Sequence, residues 1–237
     1  MTGIYRIYPT RKRNFFGKHS ATSLLIWINV IFFFFVMILS LIIPNFLDYI
    51  SLNPSRIAQG EYFWTFLTSM FMHAPAFISF HLIVNMFVLF SLGGMMERII
   101  GKKRFFWFYI ISGLLAGLLF VLLANFFGTT ELGAKIFGSP SLAAVGASGA
   151  IFAIAGLFMM LTPKLKFMII FLPFFSLPAY IMIPLVLFGT WLVSSSTGFP
   201  IGNTAHLGGF LCGVVYGIYI RKKFPKKTKI LSHHFSR

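Results

Sequence analysis

The sequence predicts an all-α polytopic membrane protein, a bundle of six transmembrane helices, on three observations. The 237 residues are 58% hydrophobic and only 10% charged, with a mean hydropathy of +0.87, whereas soluble domains carry about 25% charge. Several apolar stretches approach or exceed the roughly 20 residues that cross a hydrocarbon core. All but Arg56 and Lys135 of the 20 Lys and Arg fall in the tails or in alternate connections, the positive-inside pattern. In a soluble protein the +16 charge would point to nucleic acid. Here its placement points to anionic lipid at the inner face and to no nucleic acid, with both termini cytoplasmic at the cell membrane. The single cysteine, Cys212, excludes an intramolecular disulfide, and nothing near it resembles a metal site.

In chain order, a basic cytoplasmic tail (1–20) carries Arg6, Arg11, Lys12, Arg13 and Lys18. The first span runs from about Ala21 to Ile43 and ends at Pro44. It lacks a small-residue cleavage site after it and reads as a retained span rather than a cleaved signal. The long outer connection, Asn45 to about Ser79, holds Phe63, Trp64, Phe66, Leu67, Met70, Phe71 and Met72. These form a helix-like amphipathic patch that fits the outer membrane interface. The second span, about Phe80 to Ile100, closes inside on Gly101-Lys102-Lys103-Arg104. The third is about Phe105 to Phe127, followed by an outer loop from Gly128 to Val145.

The fourth span begins near Gly146 and stops before Pro163. At about 15 residues it is too short to cross a roughly 30 Å core, so its start must lie in a recess below the outer surface. Phe167 to Pro178 is apolar but interrupted by Pro173 and Pro178, which predicts a broken interfacial or re-entrant piece on the inner side. A short fifth span, about Ala179 to Val193 or on to Ser196, leads to the Ser194–Pro200 outer loop. The sixth, about Asn203 to Ile220, carries Gly209, Gly213 and Gly217 at GxxxG spacing, a face for close backbone packing. The six spans are expected to form one domain (21–220), and a second basic tail (221–237) to be cytoplasmic.

The candidate chemistry centres on Gly146-Ala147-Ser148-Gly149. A glycine-flanked serine at a helix start exposes its hydroxyl and backbone N–H where the helix dipole favours negative charge. Small residues there also suit simple helix packing. Depth separates the two readings. Counted from the inner markers Lys164, Arg98 and Arg221, the residues Ser148, His81 and His206 rise roughly 24, 26 and 23 Å at ~1.5 Å per residue. Three polar groups on three helices thus share one level, where polar groups are costly and usually functional. His206, on the glycine-lined helix, can approach Ser148 as general base. His81 and Asn85, one turn apart, suit oxyanion donation together with the Ser148 N–H. No carboxylate lies at this depth, so the residues predict a Ser–His dyad rather than a three-member relay. A metal reading through His73, His81 and His206 lacks an HExxH pattern and a carboxylate, and no cofactor is expected.

The chain resembles the rhomboid intramembrane serine proteases of the prokaryotic six-span type. The resemblance rests on His81-Leu82-Ile83-Val84-Asn85, Gly146-Ala147-Ser148-Gly149 and Ala205-His206-Leu207-Gly208-Gly209. It extends to Trp64 through His73 and to Gly93–Gly101 around Glu97. It implies a rhomboid-like bundle with a short central fourth helix and a partly embedded first outer loop. It also implies Ser148 as nucleophile, His206 as base, His81 and Asn85 beside the oxyanion, and a mobile side entrance formed by span five. Expected partners are single-span or polytopic membrane-protein substrates. Two features depart from the family pattern: Thr65 follows the loop tryptophan where Arg is frequent, and Phe152 replaces a tyrosine stacked on the base. The rival readings are a catalytically silent rhomboid-like binding protein, which would be expected to lack the serine or histidine, and a channel or transporter, for which no clear inverted repeat is visible.

Overall fold

The computed structural model describes residues 19–73, 78–169, 172–198 and 201–235. The tail cations up to Lys18, and Phe199 and Pro200 of the last outer loop, lie outside the described residues. Helix α1, Ala21–Ile42, starts on Ser20, whose hydroxyl accepts the Ser23 N–H at 3.0 Å. The Glu97 carboxylate accepts the Ala21 N–H, the Thr22 N–H and the Thr22 hydroxyl, each at 2.8 Å. A buried acid from a distant helix thereby meets the orphan donors and positive dipole of this N-terminus.

The first outer connection departs from the expected amphipathic helix. It holds a 3₁₀ turn at Phe46–Tyr49, α2 at Pro54–Ala58 and the four-residue α3 at Thr65–Thr68. The apolar patch divides: Phe63, Trp64 and Leu67 are exposed, while Met70 and Met72 are buried. The Trp64 indole N–H donates to the Tyr49 carbonyl at 2.8 Å. Such irregular backbone is stable here because side chains and carbonyls of the loop satisfy one another.

The second span is continuous but not uniform. Helix α4, Ile78–Val88, passes through a π-turn at Leu89–Gly93 into α5, Gly94–Ile100. After Gly101, α6 runs Lys102–Phe127. The loop beyond it contains a helix that the sequence reading did not foresee, α7 at Glu131–Phe137, capped by the Thr130 hydroxyl on the Gly133 N–H. Helix α8, Ser148–Leu161, has 14 residues, about 21 Å of rise. The segment expected to be a broken re-entrant piece is instead an antiparallel hairpin, β1 Lys166–Ile169 with β2 Leu172–Pro178. In a two-stranded sheet both strands are edges, so Pro173 and Pro178 remove no interior ladder bond.

Helix α9 spans Ala179–Thr197. It continues beyond Val193, as the longer reading of this span to Ser196 expects, and the hydroxyls of Ser195, Ser196 and Thr197 bond back to carbonyls of the preceding turn. Helices α10, Asn203–Lys223, and α11, Pro225–His234, complete the chain. Among the described residues four helical segments, Ala21–Ile42, Phe80–Ile100, Lys102–Phe127 and Ala179–Thr197, are long and apolar enough to cross a membrane. With the shorter α8 and the glycine-rich α10 they make an all-α polytopic membrane fold.

Helix α8 is buried along most of its length. A Cβ on Gly209 would come within 1.8 Å of the Gly149 carbonyl oxygen, and one on Gly213 within 2.1 Å of the Ala153 oxygen. The α8 and α10 backbones therefore touch, as the GxxxG spacing predicts. On the other side Ala116 of α6 lies against both helices, 3.0 Å from a Cβ built on Gly149, with its Cα 3.0 Å from one on Gly208. This three-helix seam positions the site.

Candidate active site

Ser148 is the first residue of α8, so its N–H belongs to the first turn, which has no carbonyl partner within the helix. The chain reaches it through Gly146 at φ +119, a conformation that disfavours any side chain. Gly146 is fixed by its N–H, which donates to the Ser69 carbonyl at 2.8 Å, and the preceding strand-like stretch pairs Ala144 with Leu52. The first outer connection thus holds the approach to the serine.

The seam between α8 and α10 brings Ser148 Oγ and His206 Nε2 to 2.8 Å. His206 is 7% exposed, and its ring stacks on Phe152 at 4.4 Å between centroids and 24° between planes. Phe152 lies one turn into α8, so the helix that carries the serine also clamps the imidazole from its face. Among the described residues the buried His206 Nδ1 has no hydrogen-bond partner, and neither does the Asn203 side-chain oxygen one turn earlier. The closest charged assistance a carboxylate could give is absent among these contacts; the four acids of the chain are Asp48, Glu61, Glu97 and Glu131, and Glu97 is committed to the start of α1.

His81 and Asn85 converge on the same place from α4. A Cβ on Gly146 would lie 2.8 Å from His81 Cε1, 3.0 Å from its Nε2 and 3.6 Å from Asn85 Nδ2. The missing side chain of Gly146, two residues before the serine, is what leaves room for both. All four residues singled out in the sequence therefore gather around the head of α8. His73, named in the sequence for the metal reading and the family resemblance, was given no role in hydrolysis. It is 0% exposed, its Nε2 lies 3.0 Å from Asn85 Nδ2, and its ring is 5.1 Å from that of His81. It stands in the outer connection, ahead of α4. Burial first, and then the neighbouring His81, hold its pKa down at about 4, against the opposing pull of the Phe71 carbonyl. The sequence marks it as a polar residue closing an apolar run, Met70-Phe71-Met72-His73, and as the end of the Trp64–His73 stretch that carries the family resemblance. Among the described residues no three His, Cys, Asp or Glu side chains gather as a metal site.

A family profile described as Rhomboid domain matches residues 60–223, which include every residue of this constellation. The chain belongs to the rhomboid family. It is 32% identical over 151 residues to rhomboid protein 1, mitochondrial, of Saccharomyces cerevisiae, covering 63% of this chain and 40% of that protein. It is 31% identical over 158 residues to the presenilin-associated rhomboid-like protein, mitochondrial, of Homo sapiens, covering 65% of this chain and 37% of that protein. The rhomboid protease GlpG of Haemophilus influenzae is 22% identical over 180 residues, 76% of this chain and 81% of that protein. The present rhomboid therefore spans well under half the length of the two mitochondrial relatives and most of the length of GlpG. It is a multi-pass membrane protein.

Proposed function

We propose that this rhomboid is an intramembrane serine endopeptidase, hydrolysing peptide bonds in or near transmembrane segments of single-span or polytopic membrane proteins. The observation that carries the reading is the 2.8 Å contact between Ser148 Oγ and His206 Nε2 at the head of a short buried helix. In the first step His206 Nε2 takes the hydroxyl proton as Oγ bonds to the scissile carbonyl carbon, and the carbonyl electrons move onto its oxygen. The Ser148 N–H, the Asn85 amide and the His81 ring stabilise that oxygen. The carbon–nitrogen bond then breaks, and the departing amine receives the proton held on His206. Water attacks the resulting ester with His206 as base, which releases the acid and restores the serine. The buried Nδ1 has no carboxylate partner, and this favours the dyad over a three-member relay.

A helical substrate hides its carbonyls in hydrogen bonds and must unwind before attack, which lipid alone would make costly. Access from the side between spans two and five meets that need. The buried residues of α9, namely Ala179, Met182, Ile183 and Leu187, all lie in its inner half. The outer half is attached by the Trp191 indole N–H, which donates to the Ile136 carbonyl of α7 at 2.8 Å. The proposed setting is the cell membrane with both termini cytoplasmic and anionic lipid against the inner basic stretches.

Purified protein incubated with single-span substrates tests the activity. The parent should cleave them, while Ser148→Ala and His206→Ala should fold normally and cleave nothing. Undiminished turnover by Ser148→Ala would sink the mechanism. Tight substrate binding without cleavage by the parent would favour the silent binding protein instead.

A further inference from the structure

We infer that His73 is a positioning residue that fixes the amide of Asn85 in its oxyanion-donating orientation; the inference rests on the protease reading. An asparagine side chain can point either its oxygen or its NH₂ at a neighbour, and only the NH₂ can serve an oxyanion. Among the described residues no hydrogen bond from within α4 decides between the two orientations. The neighbour that decides is His73, buried at 0% exposure.

The tautomer of His73 follows from its two contacts. Its Nδ1 lies 3.3 Å from the Phe71 carbonyl oxygen. A carbonyl oxygen only accepts, so Nδ1 must carry the hydrogen. Burial of the ring away from water disfavours the doubly protonated cation. Nε2 is then a bare acceptor, and the Asn85 atom 3.0 Å from it must be a donor, Nδ2. The flipped amide would set its oxygen against an unprotonated nitrogen, two acceptors facing each other in a buried site. One amide hydrogen of Asn85 is thus spent on His73. The second stays on the same nitrogen, which lies 3.6 Å from the position a Gly146 Cβ would occupy. The chain of command runs from the Phe71 carbonyl through the imidazole to the amide, and only its last member touches the reacting oxygen.

A merely structural histidine would affect folding or binding in any background. A positioning residue acts through Asn85 and is silent once Asn85 is gone. The experiment is therefore a double-mutant cycle on purified full-length protein with a single-span substrate, reading kcat and KM separately alongside the unfolding temperature. His73→Leu keeps bulk and removes the acceptor; kcat should fall about tenfold or more with KM within about twofold. His73→Gln restores an acceptor oxygen and should recover most of that loss. In the Asn85→Ala background His73→Leu should lower kcat no further.

An equal drop in both backgrounds overturns the inference. So does a loss confined to KM, or a folded His73→Gln no better than His73→Leu. If His73→Leu fails to fold, the His73→Gln arm decides: near-parental kcat in the Asn85 background and no effect in the Asn85→Ala background supports the role, and a full loss of kcat in the Asn85 background overturns it. A parent that cleaves nothing overturns the protease reading and this inference together, whereas an active parent with an additive cycle overturns this inference alone.

Discussion

At the scale of single residues the site depends on what is absent from Gly146 as much as on what its neighbours present. Two constraints coincide there, a backbone at φ +119 and a His81 ring 2.8 Å from where a Cβ would stand. Gly146→Ala must move the serine, the histidine or both. Because a displacement of ~1 Å can cost about 10²-fold in rate, kcat/KM should fall by about that factor while the protein remains folded. His73 carries a pH signature as well. Its ring titrates at about 4 when buried but near 6.5 in an unfolded chain. The folded state therefore resists the proton that the unfolded state accepts. Stability from this group is complete above about pH 6.5 and declines as pH falls from there toward 4. His73→Gln should flatten the fall in unfolding temperature across that window; an unchanged pH profile would remove the group from the account. The pairing of His73 with Asn85 is not legible in the sequence, for a physical reason. His73 lies in a loop without periodicity, and its partner Asn85 is reached by folding rather than by spacing. Ser148, His81 and His206 were legible because charges mark the inner boundary and a helix rises by a constant step.

At the scale of elements, the glycine face of α10 was readable as GxxxG spacing, and the structure turns it into backbone contact with α8. Gly209→Val has no room beside the Gly149 oxygen, 1.8 Å from a built Cβ. It should force the two helices apart and abolish cleavage, with a fall in unfolding temperature; retained activity would mean that the seam does not set the serine–histidine distance. Helix α9 offers the opposite case. Trp191→Phe deletes the indole donor to Ile136 and keeps an aromatic ring. Losing about 1 kcal/mol of hydrogen bond should favour the displaced outer half and raise cleavage of membrane-embedded substrates about fivefold, with soluble loop substrates little changed. Slower cleavage would count against movement of α9. The hairpin and the short helix α7 are among the elements not legible in the sequence. The hairpin β1–β2 is formed by an apolar run whose prolines read as helix breaks, and period alone cannot separate a short apolar strand from a broken helix. The helix α7 is too short to show a period.

At the scale of the whole molecule, Glu97 ties the first span to the inner end of the second. Replacing it by alanine leaves the Ala21 and Thr22 N–H groups and the Thr22 hydroxyl without an acceptor. Hydrogen bonds to charged groups contribute about 1.5–3 kcal/mol each, so Glu97→Ala should lower the unfolding temperature strongly, and Glu97→Gln should fall between it and the parent. The proposed orientation can be read from cysteines introduced at Lys12 and Lys135 in a Cys212→Ser background. An impermeant reagent should label only residue 135 in sealed cells; labelling at residue 12 would reverse the topology. The fold class was legible at this scale because composition and charge segregation are properties of the entire chain, whereas the capping of α1 by Glu97 joins residues far apart in sequence and left no mark there.

The contact of α8 with α10 has a consequence for heat. Catalytic groups borne on loops are commonly lost in local openings well below the temperature of global melting. Here the nucleophile and base stand on two helices whose main chains touch at Gly149 and Gly209 and again at Ala153 and Gly213. Separating the pair requires breaking the middle of the bundle. Warming should therefore leave the specific activity of surviving molecules unimpaired until the protein melts as a unit, and the midpoint of thermal inactivation should coincide with that of unfolding.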